Sequence, residues 1–155
     1  VAKDMQTLQF TIPLYCSHGI ANQAFIDAAG DAANGVIFPA GKLLVVDEIA
    51  TTDPQYDVLT EYKDEYLAAF PNTSISTFGG HAWDSLYIVV NALEEMDEDL
   101  SLADSRAQLR DLIEETTDFV GISGVFTMSP EDHLGMQPGS LALIEIADGT
   151  WTIAQ

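Results

Sequence analysis

The spacing of apolar positions changes several times along the chain, and each change marks an element. Phe10–Tyr15 is apolar and rich in β-formers and predicts a first strand. Cys16-Ser17-His18-Gly19 is a polar break. Ala21, Phe25, Ala28 and Ala29 then recur at helical spacing, predicting a helix over Asn22–Ala33. Gly30 and Gly35 punctuate its end, and Gly35–Ala40 predicts a second strand. In such a unit the loop after the first strand points out of the sheet, where ligands of open α/β folds sit. Ser17 and His18 therefore stand at an expected site edge.

Ahead of this unit, Val1–Gln9 predicts the tail of a helix. After it, Lys42–Thr52 contains the run Leu43-Leu44-Val45-Val46, which leaves room for a short strand. Asp53-Pro54 places a cap and a first-turn proline ahead of a helix with Tyr56, Leu59, Tyr62, Tyr66 and Phe70 on one face. Ser74–Phe78 reads as a crossing segment, leading through Gly79-Gly80-His81 into a helix over Ala82–Met96. Trp83, Leu86, Tyr87, Val90 and Leu93 form its expected inner face. Ser101–Thr116 predicts another amphipathic helix with Leu102, Leu109, Leu112 and Ile113 inward. Phe119–Phe126 is a glycine-punctuated extended stretch and Ser129–His133 a turn. Leu141–Ile146 and Trp151–Ala154 predict a hairpin closed by Asp148-Gly149.

Composition narrows what such an α/β chain does. Its 155 residues suffice for one core, and nearly half are apolar. The 25 Asp and Glu against 5 Lys and Arg leave a formal charge of -20. That balance disfavours nucleic acid and anionic membranes, and it fits a surface adapted to salt. One cysteine allows no internal disulfide. No apolar run is long enough to span a bilayer. The opening Val1-Ala2-Lys3-Asp4-Met5 resembles the end of a helix, so a piece of a longer protein is expected.

Candidate chemistry is sparse. Cys16, His18, His81 and His133 lack zinc-ligand spacing, and Cys16 reads as a small buried apolar residue. Gly-x-Ser-x-Gly is absent, and Gly79-Gly80 is not followed by the Lys-Ser/Thr of a phosphate loop. Gly79-Gly80 does open a helix, whose N-terminus favours a small carboxylate. Phe78 stands at a strand-to-loop junction, where its ring faces a cleft. No catalytic residue, metal or cofactor is expected. A metal protein or enzyme using Cys16, His18 and His81 is the alternative from another class.

Four stretches in order resemble the branched-chain amino acid family of type I periplasmic binding proteins. They are Pro13–Phe38 with its Ala29-Gly30…Ala33…Gly35 turn, and Asp53-Pro54…Tyr62-Lys63-Asp64-Glu65-Tyr66. After these come His81-Ala82-Trp83-Asp84-Ser85…Asn91-Ala92-Leu93, with Trp and Ser as substitutions, and Phe119, Gly121, Gly124 and Phe126 followed by Asp132-His133. The resemblance implies an α/β chain that is the C-terminal portion of a two-lobed fold with three-layer α/β/α lobes. It assigns residues 1–46 to the end of the second lobe. Residues 47–128 become a hinge crossing and a helical part of the first lobe, and 129–155 the return crossing and C-terminal hairpin. The function implied is an extracytoplasmic solute-binding component of an ABC transporter, with a membrane permease as partner. The same fold used as the sensor of a receptor or regulator is the alternative.

By this resemblance Ser17, His18, Gly19 and Phe78 are the ligand-binding residues. His18 falls where the family places an acidic residue for the ligand's ammonium. An imidazole there loses that charge complementarity, so a carboxylate, an aromatic acid or an amide-like solute fits better than a standard amino acid. The location implied is periplasmic or extracellular, with room for a membrane anchor in a missing N-terminus. Exposed sheet edges of such a fragment invite dimer formation.

Overall fold

A computed structural model describes residues 1–154. The central sheet has the order β1-β2-β5-β6, formed by β1 (Leu14–Tyr15), β2 (Val36–Gly41), β5 (Leu141–Ala147) and β6 (Thr150–Ile153). β1 runs parallel to β2, and the other pairs are antiparallel. Alternation along β2 sends Val36, Phe38 and Ala40 to one face, where Ile144 and Ile146 of β5 join them. The helix α2 (Gln23–Ala29) covers that face through Ile26, and Trp151 meets Phe38 edge-on at 5.5 Å. Asp148 and Gly149 both take positive φ, the geometry a two-residue hairpin needs.

A second, smaller core gathers Leu43, Val46, Leu59 and Ile122, flanked by Tyr62 and Trp83. It lies among α3 (Tyr56–Ala69), α4 (Thr77–Glu94) and the stretch joining β3 (Phe119–Val120) to β4 (Val125–Phe126). α5 (Leu102–Glu114) packs on α4 and contributes no fully buried side chain. A short α1 (Ala2–Thr7) precedes β1.

Polar side chains fix the second core. Asp84, 3% exposed on α4, accepts the backbone N–H of Ile122 at 2.6 Å and of Ser123 at 2.7 Å. A Cβ on Gly121 would stand 2.5 Å from Asp84 Oδ1, so only glycine admits this approach. Gln55, fully buried, donates from Nε2 to the carbonyls of Gly121 and Ile122. Asp53 accepts from Gln55 N and pairs with Lys42 at 2.6 Å. Residues 121–123 are thus pinned from α4 and from the entry to α3.

Several sequence expectations need correction. Phe10 and Ile12 are exposed, and the first strand shrinks to Leu14–Tyr15, because only that stretch pairs with β2. The helix expected over Asn22–Ala33 ends at Ala29; Gly30–Ala33 tightens into a 3₁₀ turn as Gly30 takes positive φ. Leu43–Val46 belongs to a 3₁₀ segment, Lys42–Glu48, rather than a strand, with its apolar run divided between the two cores. Ser76 caps α4 by accepting Phe78 N–H, so Gly79 and Gly80 lie inside the helix rather than ahead of it. The inner face of α4 is Thr77, Gly80, Asp84, Ile88 and Ala92, while Leu86 and Leu93 point outward. Leu102, expected inward on α5, is exposed as well.

Candidate functional site

The polar break after β1 folds into a 3₁₀ turn, His18–Ile20, with Ser17 extended at its start. Ala21 N–H donates to His18 O, and the Asn22 side chain caps α2 by accepting Phe25 N–H. These bonds hold His18 at the sheet's edge, against the first turn of α4. Phe78 lies within that first turn, one residue after Thr77, not at the strand-to-loop junction expected from sequence.

Three rings meet there. Phe78 stands edge-on to His18 with centroids 5.4 Å apart, and edge-on to His81 at 6.0 Å. His18 and His81 are stacked at 5.2 Å with an interplanar angle of 19°. Phe78 and His81 sit three residues apart on α4 and share one helix face. The His18 Nε2 is out of solvent and has no hydrogen-bond partner. Burial, with His81 adding to it, lowers the His18 pKa below its ordinary 6.5, so the neutral imidazole is favoured. Phe78 remains 49% exposed, so the ring group opens to solvent on one side.

Of the residues expected from sequence, His18 and Phe78 are brought together. Ser17 is exposed and makes no capping bond, and its Oγ faces Gly19, where an added Cβ would lie 3.5 Å away in ordinary contact. The sequence offers His81 only as a metal or enzyme residue; its i, i+3 relation to Phe78 is the signal that it shares their surface. Stacked imidazoles project their ring nitrogens side by side rather than onto one point. Among the described residues no cluster of three or more His, Cys, Asp or Glu is placed to hold a metal ion. Cys16 packs against the sheet core.

The group can present an aromatic wall and two imidazole edges to a small solute. Burial and His81 are the causes of the His18 shift, and no carboxylate opposes them.

No protein-family model and no curated protein matches the chain. Solved structures do. An extracellular ligand-binding receptor from Rhodopseudomonas palustris HaA2 is 30% identical with a TM-score of 0.84, over 99% of this chain and 43% of that one. A leucine binding protein, LivK, from Thermotoga maritima is 17% identical with a TM-score of 0.75, over 99% of this chain and 39% of that one. The branched-chain amino acid transporter substrate binding protein LivJ from Streptococcus pneumoniae, solved with isoleucine, is 21% identical with a TM-score of 0.76, again over 99% and 39%. The chain spans about two-fifths of the length of these relatives. They are binding proteins and receptors rather than enzymes, and no described helix is long and apolar enough to cross a membrane. The chain shares the type I periplasmic binding protein fold of these extracellular ligand-binding receptors and branched-chain amino acid ABC transporter binding proteins.

Proposed function

We propose that this chain carries one side of a solute-binding site in an extracytoplasmic binding protein that delivers its ligand to an ABC-transporter permease. The observation that carries this reading is the ring group of His18, Phe78 and His81, with an unpartnered His18 Nε2 at the junction of the sheet and α4. Ser17 and Gly19 supply hydroxyl and backbone contacts beside it. The ligand is a small solute with a carboxylate or another anionic or acceptor group and an apolar or aromatic body, not a standard branched-chain amino acid. A neutral imidazole edge offers an N–H to an acceptor and nothing to an ammonium.

The two cores support a division between lobes. Residues 1–46 and the return 129–155 go with one lobe and the helical part within 47–128 with the other, the 3₁₀ segment Lys42–Glu48 bridging them with Leu44 and Val45 on the first core and Leu43 and Val46 on the second. The outward apolar residues of α4, Leu86, Val89 and Leu93, and Leu141 and Leu143 on the back of the sheet, are then faces covered in a two-lobed protein. The other half of the ligand site lies in the part of that fold outside this chain. The site closes by motion of one lobe on the other.

A thermal-shift screen of the protein expressed from its whole reading frame tests this. Amino acids, aromatic acids and small amides form the panel. A hundredfold excess over the dissociation constant stabilises by about 2.7 kcal/mol. Stabilisation by acids lacking an ammonium, and none by leucine, is the expected result. Stabilisation by leucine or valine would overturn the ligand class, and a flat response across the panel would overturn the function.

A further inference from the structure

A groove of about 390 Å³, sharing no residue with the ring group, lies between α5 and the segment after β4. α5 supplies Arg106, Leu109, Arg110 and Ile113, which recur at i, i+3, i+4 and i+7 and so form one helix face. Met128 and His133 form the facing wall. That wall is braced. Met128 N–H donates to Thr116 O, Ser129 and Asp132 bridge each other, and Asp132 Oδ1 accepts the N–H groups of Leu134 and Gly135. The floor is apolar, through Leu109, Ile113 and Met128.

Charge is what separates this groove from the other apolar surface of the molecule. Glu114 closes one end, pairing with His133 Nε2 at 3.1 Å and lying 3.9 Å from Arg110, which is also bound to Asp111. Arg106 stands about two helical turns from Glu114. Lys42 and Lys63 are each held by an aspartate. Arg106 has no ion pair and no side-chain hydrogen bond among the described residues, in a chain with five times more acidic than basic side chains. An unpaired guanidinium beside an apolar floor complements a ligand that is anionic at one end and apolar at the other. The volume falls in the small-ligand range, and a guanidinium fork matches a carboxylate.

We propose that this groove is a second ligand site, taking a small amphipathic carboxylate with its apolar body on Leu109, Ile113 and Met128 and its carboxylate on Arg106. The proposal is independent of the ring group's role. The test is a titration of sodium octanoate into protein carrying ¹³C-methyl methionine. The Met128 resonance is expected to shift saturably while those of Met5 and Met96 stay in place. Arg106→Gln, on an exposed position, is expected to weaken the apparent affinity about tenfold, as loss of a charged hydrogen bond does. Arg106→Lys is expected to restore part of it. The proposal is overturned if Met128 does not respond, or if octylamine moves it as strongly as octanoate. It is equally overturned if Arg106→Gln binds as the parent does, or if only an acidic apolar peptide produces the shift.

Discussion

His18 keeps its Nε2 out of water without a partner, against a second imidazole and the edge of a phenyl ring. The consequence for stability has a definite sign. Its folded pKa lies below the unfolded 6.5, so above that pH both states hold it neutral and nothing is lost. As pH falls below 6.5 the unfolded chain takes up the proton first, and stability falls until the folded pKa is passed. The unfolding midpoint of the parent, measured from pH 7 to 5, should therefore drop relative to that of His18→Gln. Parallel curves would show that burial of His18 carries no such cost. The position of His18, in a polar break after a strand, was legible in the sequence. The place of His81 was not, since it depends on α4 beginning at Thr77, and the pair Gly79-Gly80 reads as the entry to a helix starting at Ala82 until Ser76 is seen to cap the first turn.

Among the elements, those set by local chemistry were legible and those set by tertiary pairing were not. The β5–β6 hairpin follows from alternating residues around Asp148-Gly149. The run Leu43-Leu44-Val45-Val46 gives no period, and it became 3₁₀ because it bridges two cores that only the fold creates. The inner face of α4 differs from the expected one for a related reason. Its apolar residues spread around much of the helix, and the side that is buried is chosen by Asp84, whose carboxylate satisfies two buried N–H groups. Asp84→Ala should leave both donors unpaired and cost about 3 kcal/mol in denaturant unfolding. Gly121→Ala, driving a Cβ into the same carboxylate, should cost about 1–3 kcal/mol. Losses under about 0.5 kcal/mol at both positions would mean that α4 is not fixed through this contact.

At the scale of the whole molecule, net charge and exposed apolar surface act together. A formal charge of -20 repels itself, and salt screens that repulsion. Raising KCl from about 0.05 M to about 1 M should lift the thermal midpoint by about 3 °C or more, and a flat or falling midpoint would remove charge repulsion as a factor. Composition made the charge legible at once. The placement of two cores was not legible, because it depends on β5 returning beside β2 after about a hundred residues of chain. That return places β5 beside β2, and His18 meets Phe78 and His81 where the turn after β1 faces α4. The most direct measurement on that surface is calorimetric titration of benzoate and of L-leucine into the protein expressed from its whole reading frame, as parent and as His18→Asp. The parent is predicted to bind benzoate and not leucine, and His18→Asp to weaken benzoate at least about tenfold by placing like charges together. Tight leucine binding by the parent, or benzoate binding untouched by His18→Asp, would contradict a carboxylate site at His18.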